Sequence, residues 1–254
     1  MTDNGGSDNR TRVPVLGFSI DSMPMDGAVN QVLDWAKLRA SRYVCFCNAH
    51  MVVTAKTDDP FAQVLSQADL VLPDGMPIAV SMRRKGALSQ QRVAGPDFML
   101  HCCARAAREN IPVYFYGSTE ETLRLLTERL PRDYSGLRIA GAYSPPFRPQ
   151  TEQEGAAAIA AINDSGAGII FVGLGCPKQE LWMARNSQSI HGVLLGVGAA
   201  FDFAAGNLTR APLWMRQNGL EWLYRLLKEP RRLWKRNLVT NSLFLYYSLR
   251  EVLK

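Results

Sequence analysis

Seven short runs of β-branched and apolar residues punctuate the chain, at 13–20, 43–47, 70–72, 113–116, 137–142, 169–172 and 193–197. Several close on Gly, Asn or Asp, which bound strands. Between them the pattern turns helical, at 28–39, 98–109, 120–130, 152–163 and 178–187. Strand–helix alternation on this scale predicts an α/β fold, a largely parallel sheet with helices on both faces. In such sheets ligands sit beyond the carboxyl ends of the strands, so chemistry is sought in the loops there.

After Gly206 the pattern changes. Trp214, Trp222 and Trp234, three of the five tryptophans, lie among bases. Pro212 suits a helix start, and Pro230 a kink or a second start. Residues 13–205 read as the core and 206–254 as an appendage of two or three helices. Residues 1–12 are polar and aperiodic, a loose tail rather than a signal peptide, because no apolar segment follows the charges. Nowhere do 18 apolar residues run together, so no transmembrane helix is expected.

The net charge of +6 is unevenly placed. From Arg210 onward ten bases face only Glu221, Glu229 and Glu251, so the positive charge belongs to the C-terminus. A localised positive field implies an anionic partner: phosphate groups, a lipid surface or nucleic acid. No nucleic-acid motif supports the last. Cys45, Cys47, Cys102, Cys103 and Cys176 fit neither a disulfide framework nor a zinc site and read as reduced, buried thiols.

Six loops carry candidate chemistry. Asn48, after a strand, is either a ligand contact or a helix N-cap, with His50 beside it. Asp74, in Pro73-Asp74-Gly75-Met76-Pro77, is either a turn residue or a general base at a strand end. Arg92 could clamp a phosphate, or pair with Asp97. Gly117 and Ser118 precede a helix whose N-terminus could hold an anion. Gly173 and Gly175 lead to Lys178 and Gln179, yet the loop is neither G-x-G-x-x-G nor a Walker A, which disfavours a dehydrogenase or P-loop nucleotidase. Asp202, alone in an apolar run, is either a satisfied buried acid or a cleft group. In the tail, Arg225, Lys228, Arg232 and Lys235 step by three, four and three. They share one face if the helix runs on through Pro230. Leucines and Trp234 beside that stripe suit an interfacial segment on anionic lipid; the alternative is a solvated basic face.

Taken together, these loops resemble the WecG/TagA/CpsF glycosyltransferases, which build bacterial cell-surface polymers. The likeness covers residues from about 13 to about 240. It rests on Pro73-Asp74-Gly75, on Arg92-Val93-Ala94-Gly95-Pro96-Asp97, and on Val172-Gly173-Leu174-Gly175-Cys176-Pro177-Lys178-Gln179-Glu180. Further matches are Gly198-Ala199-Ala200-Phe201-Asp202-Phe203, Arg210-Ala211-Pro212-Leu213-Trp214-Met215-Arg216 and the stretch from Gly219 to Arg232. The resemblance implies a Rossmann-like core and inverting, metal-independent transfer from a UDP-sugar, with no cofactor. The implied acceptor is a sugar on a polyprenyl diphosphate at the inner face of the cytoplasmic membrane, to which the protein binds peripherally. The family's base aligns with Asp74, its Asn with Asn48, its cleft Arg with Arg92 and its Gln with Gln179. Its phosphate-facing bases align with Arg225, Arg232 and Lys235. N-acetylmannosamine and its uronic acid are familiar donor sugars of the family; Phe46 stands where relatives often have Thr and His50 where an acid is common, and these departures bring in UDP-glucose beside UDP-N-acetylmannosamine as an expected donor. Two other readings are a nucleotide-sugar epimerase or dehydrogenase, and a non-catalytic membrane-associated scaffold. A homo-oligomer formed through the apolar tail surface is a further expectation.

Overall fold

The structure, a computed structural model, describes residues 10–253. It opens on a hairpin in which β1 (Arg12–Val15) and β2 (Phe18–Asp21) pair antiparallel. The expected strand at 13–20 is therefore two strands, because Leu16 and Gly17 both take positive φ, +52° and +90°. That pair of angles makes the tight turn whose twist matches a hairpin. Arg12, read as part of the loose tail, begins β1, and Arg10 donates to the Asp69 carbonyl at 2.7 Å. Residues 1–9 lie outside the described residues.

The chain then alternates as expected. The order is α1 (Met25–Lys37), β3 (Arg42–Cys47), α2 (Ala49–Thr57), α3 (Asp59–Gln67), β4 (Leu70–Pro73), α4 (Met76–Arg84) and α5 (Gly95–Arg108). There follow β5 (Val113–Gly117), α6 (Glu120–Asp133), β6 (Ile139–Tyr143), α7 (Glu152–Asp164), β7 (Ile169–Gly173), α8 (Lys178–Asn186), β8 (Val193–Gly196) and α9 (Ala200–Ala205). The pattern did not predict α2, α3, α4 or α9. In α2 the buried residues Met51, Val52 and Val53 are consecutive, so the sequence shows no helical period there. The start of α4 lies under a Pro-rich turn.

Strands β3 to β8 form one parallel sheet in the order β4-β3-β8-β7-β5-β6. Side chains alternate between its faces. Val44 and Phe46 of β3, and Ile169 and Phe171 of β7, enter one core with α1, α5, α6 and α9. Tyr43, Cys45, Ile170 and Val172 enter the other with α2, α3, α4, α7, α8 and the hairpin. Burial on both faces explains why these strands read as continuous apolar runs. Four of the five cysteines are buried, and all five are free.

Three helices end the described chain: α10 (Leu213–Gln217), α11 (Glu221–Lys228) and α12 (Pro230–Val252). The backbone breaks at Glu229 (φ −128°, ψ 55°), and Pro230 starts a second helix rather than kinking a continuous one. α12 packs on α2, with Leu233 and Thr240 buried and Phe244 and Tyr247 partly buried against the second core. The outer surface of the three helices keeps Trp214, Trp234, Leu238, Leu245 and Leu249 exposed. Among the described residues, no helix is long and apolar enough to cross a membrane.

Candidate active site

A cavity of about 770 Å³ lies beyond the carboxyl ends of β3, β4, β7 and β8, closed on one side by α11 and α12. Its floor is built from loops that the parallel sheet delivers to one edge. Asp74 follows β4 directly, and its N–H donates to the Cys47 carbonyl at 2.8 Å, extending the β3–β4 pairing by one residue. Gly75 then turns the chain at φ +98° so that α4 can start.

The Asp74 carboxyl lines the cavity, and among the described residues no hydrogen bond engages it. Burial pushes its pKa up to about 6; Glu221 and Asp97 act the same way, while Arg92 and Arg210 oppose them. A carboxylate poised there is basic enough to accept a proton and still ionised near neutrality.

Around it runs a network of ion pairs. Arg92 donates through Nη1 to Glu221 Oε2 at 2.7 Å and lies 3.6 Å from Asp97 Oδ2. Arg210 makes a two-pronged bond to Asp97 and reaches Glu221 at 3.5 Å, and Arg216 is 3.4 Å from Asp97. Burial works against the ionised Asp97, but Arg210, Arg92 and Arg216 outweigh it and hold the carboxyl below its usual range. Asp97 thus faces arginines rather than the cavity, while Arg92 both pairs with it and lines the cavity. Gly219 lets the turn before α11 approach the start of α4, since a Cβ there would lie 2.7 Å from the Met76 Cβ, and its φ is +72°.

The remaining expected residues divide. Asn48 lines the cavity, and its Oδ1 caps α2, accepting from Met51 N at 3.1 Å, which is the N-cap reading. Ser118, Gly173, Gly175 and Asp202 also line it. Gly117 does not. With φ +116° and a would-be Cβ 2.7 Å from Gly173 C, it serves the close approach of β5 to β7. Gln179 touches the cavity, yet its amide is committed to protein. Oε1 accepts from Gly175 N at 3.1 Å, and Nε2 donates to Gly196 O and Glu180 Oε1, each at 2.7 Å. It ties the loop after β7 to the end of β8. Lys178, on the outer side of α8, is exposed and stands outside the cavity.

The tail arginines divide as well. Arg225 and Arg232 line the cavity, and both reach Glu229, at 3.8 and 2.8 Å. Arg225 also lies 5.6 Å from the Phe203 ring centre, and its buried Nε has no acceptor. Lys228 and Lys235 lie outside the cavity. The break at Glu229 resets the helical phase, so the four-base stripe is not one face. Arg236, unforeseen, lines the cavity instead, with Asn237, Thr240 and Asn241. His50 meets Thr240 across the α2–α12 contact at 3.3 Å. Burial, then the Arg236 charge, pushes the His50 pKa down. Phe46 packs edge-on against Phe98 at 5.0 Å, at the cavity's apolar floor.

Sequence reasoning also missed Glu221, Arg210 and Arg216, whose partners lie more than a hundred residues away in sequence. It missed Glu180, a fully buried carboxyl beside Gln179 that burial pushes up to about 7 against the hydrogen bonds of Gln179 and Cys176. No spacing signal marks the long-range contacts of Glu221, Arg210 and Arg216.

A carboxyl base, glycine-edged loops and guanidiniums around one cleft can activate a hydroxyl and hold phosphate. Over residues 13–254 the chain matches the model of the glycosyl transferase WecG/TagA/CpsF family, and it belongs to that family of cell-surface polysaccharide glycosyltransferases.

Proposed function

We propose that the protein is an inverting, metal-independent glycosyltransferase. It moves a hexose from a UDP-sugar to a sugar carried on a polyprenyl diphosphate, with Asp74 as general base. The observation that carries this reading is the unengaged Asp74 carboxyl, pushed up to about 6, in a cleft edged by arginines. The acids that pair with Arg92, Asp97 and Glu221, are occupied, whereas the Asp74 carboxyl at the end of β4 is not.

In the proposed reaction the acceptor hydroxyl oxygen attacks the anomeric carbon from the face opposite UDP. Its proton passes to Asp74. The bond from the anomeric carbon to the diphosphate oxygen breaks, and its electron pair leaves with UDP, so the configuration inverts. The charge growing on the diphosphate needs fixed positive partners. Arg225 and Arg232 supply them, and the sequence has no Asp-x-Asp to hold a metal for that purpose. The exposed tryptophans and leucines of α10–α12, among bases, favour docking at the anionic inner face of the cytoplasmic membrane, where a lipid-linked acceptor resides.

The test is UDP release in EDTA from a panel including UDP-glucose and UDP-N-acetylmannosamine, with a short-chain prenyl-diphosphate-linked sugar as acceptor. One donor is expected to give acceptor-dependent release that rises with pH through about 6. Asp74→Asn is expected to lower kcat by roughly 10²- to 10⁴-fold, the usual contribution of a general base. Full activity in that variant, or no release from any donor by wild type, rejects the reading.

A further inference from the structure

We infer that Arg236, together with Asn237 and Asn241 on the cavity side of α12, forms a diphosphate subsite, and that Lys235 takes no part in it. This deepens the proposed function and rests on it. The first support is where the side chains go. Arg232, Arg236, Asn237 and Asn241 all line the cavity, on an arc of about half the circumference of α12, and Lys235 lies about 60° beyond the Arg232 edge of that arc and outside the cavity.

The second support is charge. Of the cavity's arginines, Arg92 is matched by Glu221, and Arg225 and Arg232 share the single carboxylate Glu229. Arg236 has no ion pair and no hydrogen bond among the described residues. Three guanidiniums at this end of the cleft thus face one carboxylate, an excess of two positive charges. Removal from water, then the charges of Arg225 and Arg232, works against the ionised Arg236. Folding alone does not favour such an arrangement, since gathered like charges repel. It is relieved by an anion, and a diphosphate esterified at both ends is a dianion that matches the excess. Asn237 and Asn241 add neutral donors beside the guanidiniums.

A diphosphate occurs in both the donor nucleotide and the prenyl carrier of the acceptor, and the experiment separates them. Binding of UDP and of geranyl diphosphate to the full chain is measured by calorimetry for wild type, Arg236→Gln, Arg236→Lys and Lys235→Gln. Arg236→Gln is expected to weaken one ligand on the order of ten- to a hundredfold, the loss of a charge-assisted bond. Arg236→Lys keeps the charge but not the planar fork, and should lie between it and wild type. Lys235→Gln should change neither ligand by more than about twofold. A loss confined to UDP assigns the subsite to the donor, and one confined to geranyl diphosphate assigns it to the acceptor. The ligand-free Tm of Arg236→Gln should equal or exceed that of wild type, because repulsion is relieved; a lower Tm with unchanged affinities makes Arg236 structural and overturns the inference. Unchanged affinities in Arg236→Gln, or an equal loss in Lys235→Gln, overturn it while leaving the proposed function standing. A wild type that binds neither ligand fails the proposed function itself.

Discussion

In the sheet, Phe115, Phe171 and Leu195 are wholly buried, whereas α10 and α11 contain no buried residue at all. The sheet and its helices are held by two continuous apolar cores. The tail is held instead by ion pairs from Arg92, Arg210 and Arg216 to Asp97 and Glu221, by Lys85–Glu251 at 2.6 Å, and by the packing of α12 on α2. Apolar burial is non-directional and cooperative, while a half-buried ion pair contributes little net stability but is costly to break on one side. The difference teaches that one region provides the frame and the other a wall held chiefly by ion pairs. That wall carries the arginines that face the cleft.

Glu221→Ala should break this comparison most visibly. It leaves Arg92 and Arg210 without one of their carboxylates, at a cost of about 2–3 kcal/mol after allowance for solvent access. The cost should fall on docking rather than on the frame. Hydrogen exchange in α10 and α11 is expected to quicken while that of β3, β7 and β8 stays unchanged. Equal loss in the strands would show that tail and frame unfold as one.

A smaller effect concerns the outer surface. Trp234→Ser combined with Leu245→Ser and Leu249→Ser removes apolar area that is already exposed, 56% and 60% for Trp234 and Leu245. Folding should be nearly unaffected, but sedimentation with anionic phosphatidylglycerol vesicles should weaken on the order of tenfold or more. Unchanged sedimentation would count against lipid docking by this face.

The smallest effect tests the frame alone. Glu180 is buried, and its neutral form is favoured in the fold, with a carboxyl pushed from 4.5 to about 7. Its contribution to stability is therefore complete below pH 4.5 and is lost as pH rises toward 7. Between pH 6 and 8 the loss is about 1 kcal/mol. Glu180→Gln should flatten that slope in denaturant titrations, without altering hydrogen exchange in the tail.

Much of the fold was legible. Strand runs such as 43–47 and 169–172 lie within β3 and β7, because side chains buried on both faces of a parallel sheet must be apolar throughout. The hairpin turn at Leu16 and Gly17 and the helix α2 were not, since one depends on two backbone angles and the other lacks helical spacing. In the site, Asp74, Arg92 and Arg225 were legible because their loops or helix end at the cleft. Lys178, Lys235 and Gly117 were misplaced, and Gln179 proved fully engaged by protein, because a residue's direction depends on neighbours distant in sequence.

The sequence by itself determined the layered α/β frame, the carboxyl-end location of the cleft and the gathering of positive charge after Arg210. Each follows from local periodicity or simple composition. Only the tertiary structure decided which cations reach the cleft. The break at Glu229 resets the phase of α12, and packing of Leu233 and Thr240 against the frame then turns Arg236 toward the cavity and Lys235 away from it. A helix's spacing fixes which residues share a face, but where that face points is set by what the helix packs against.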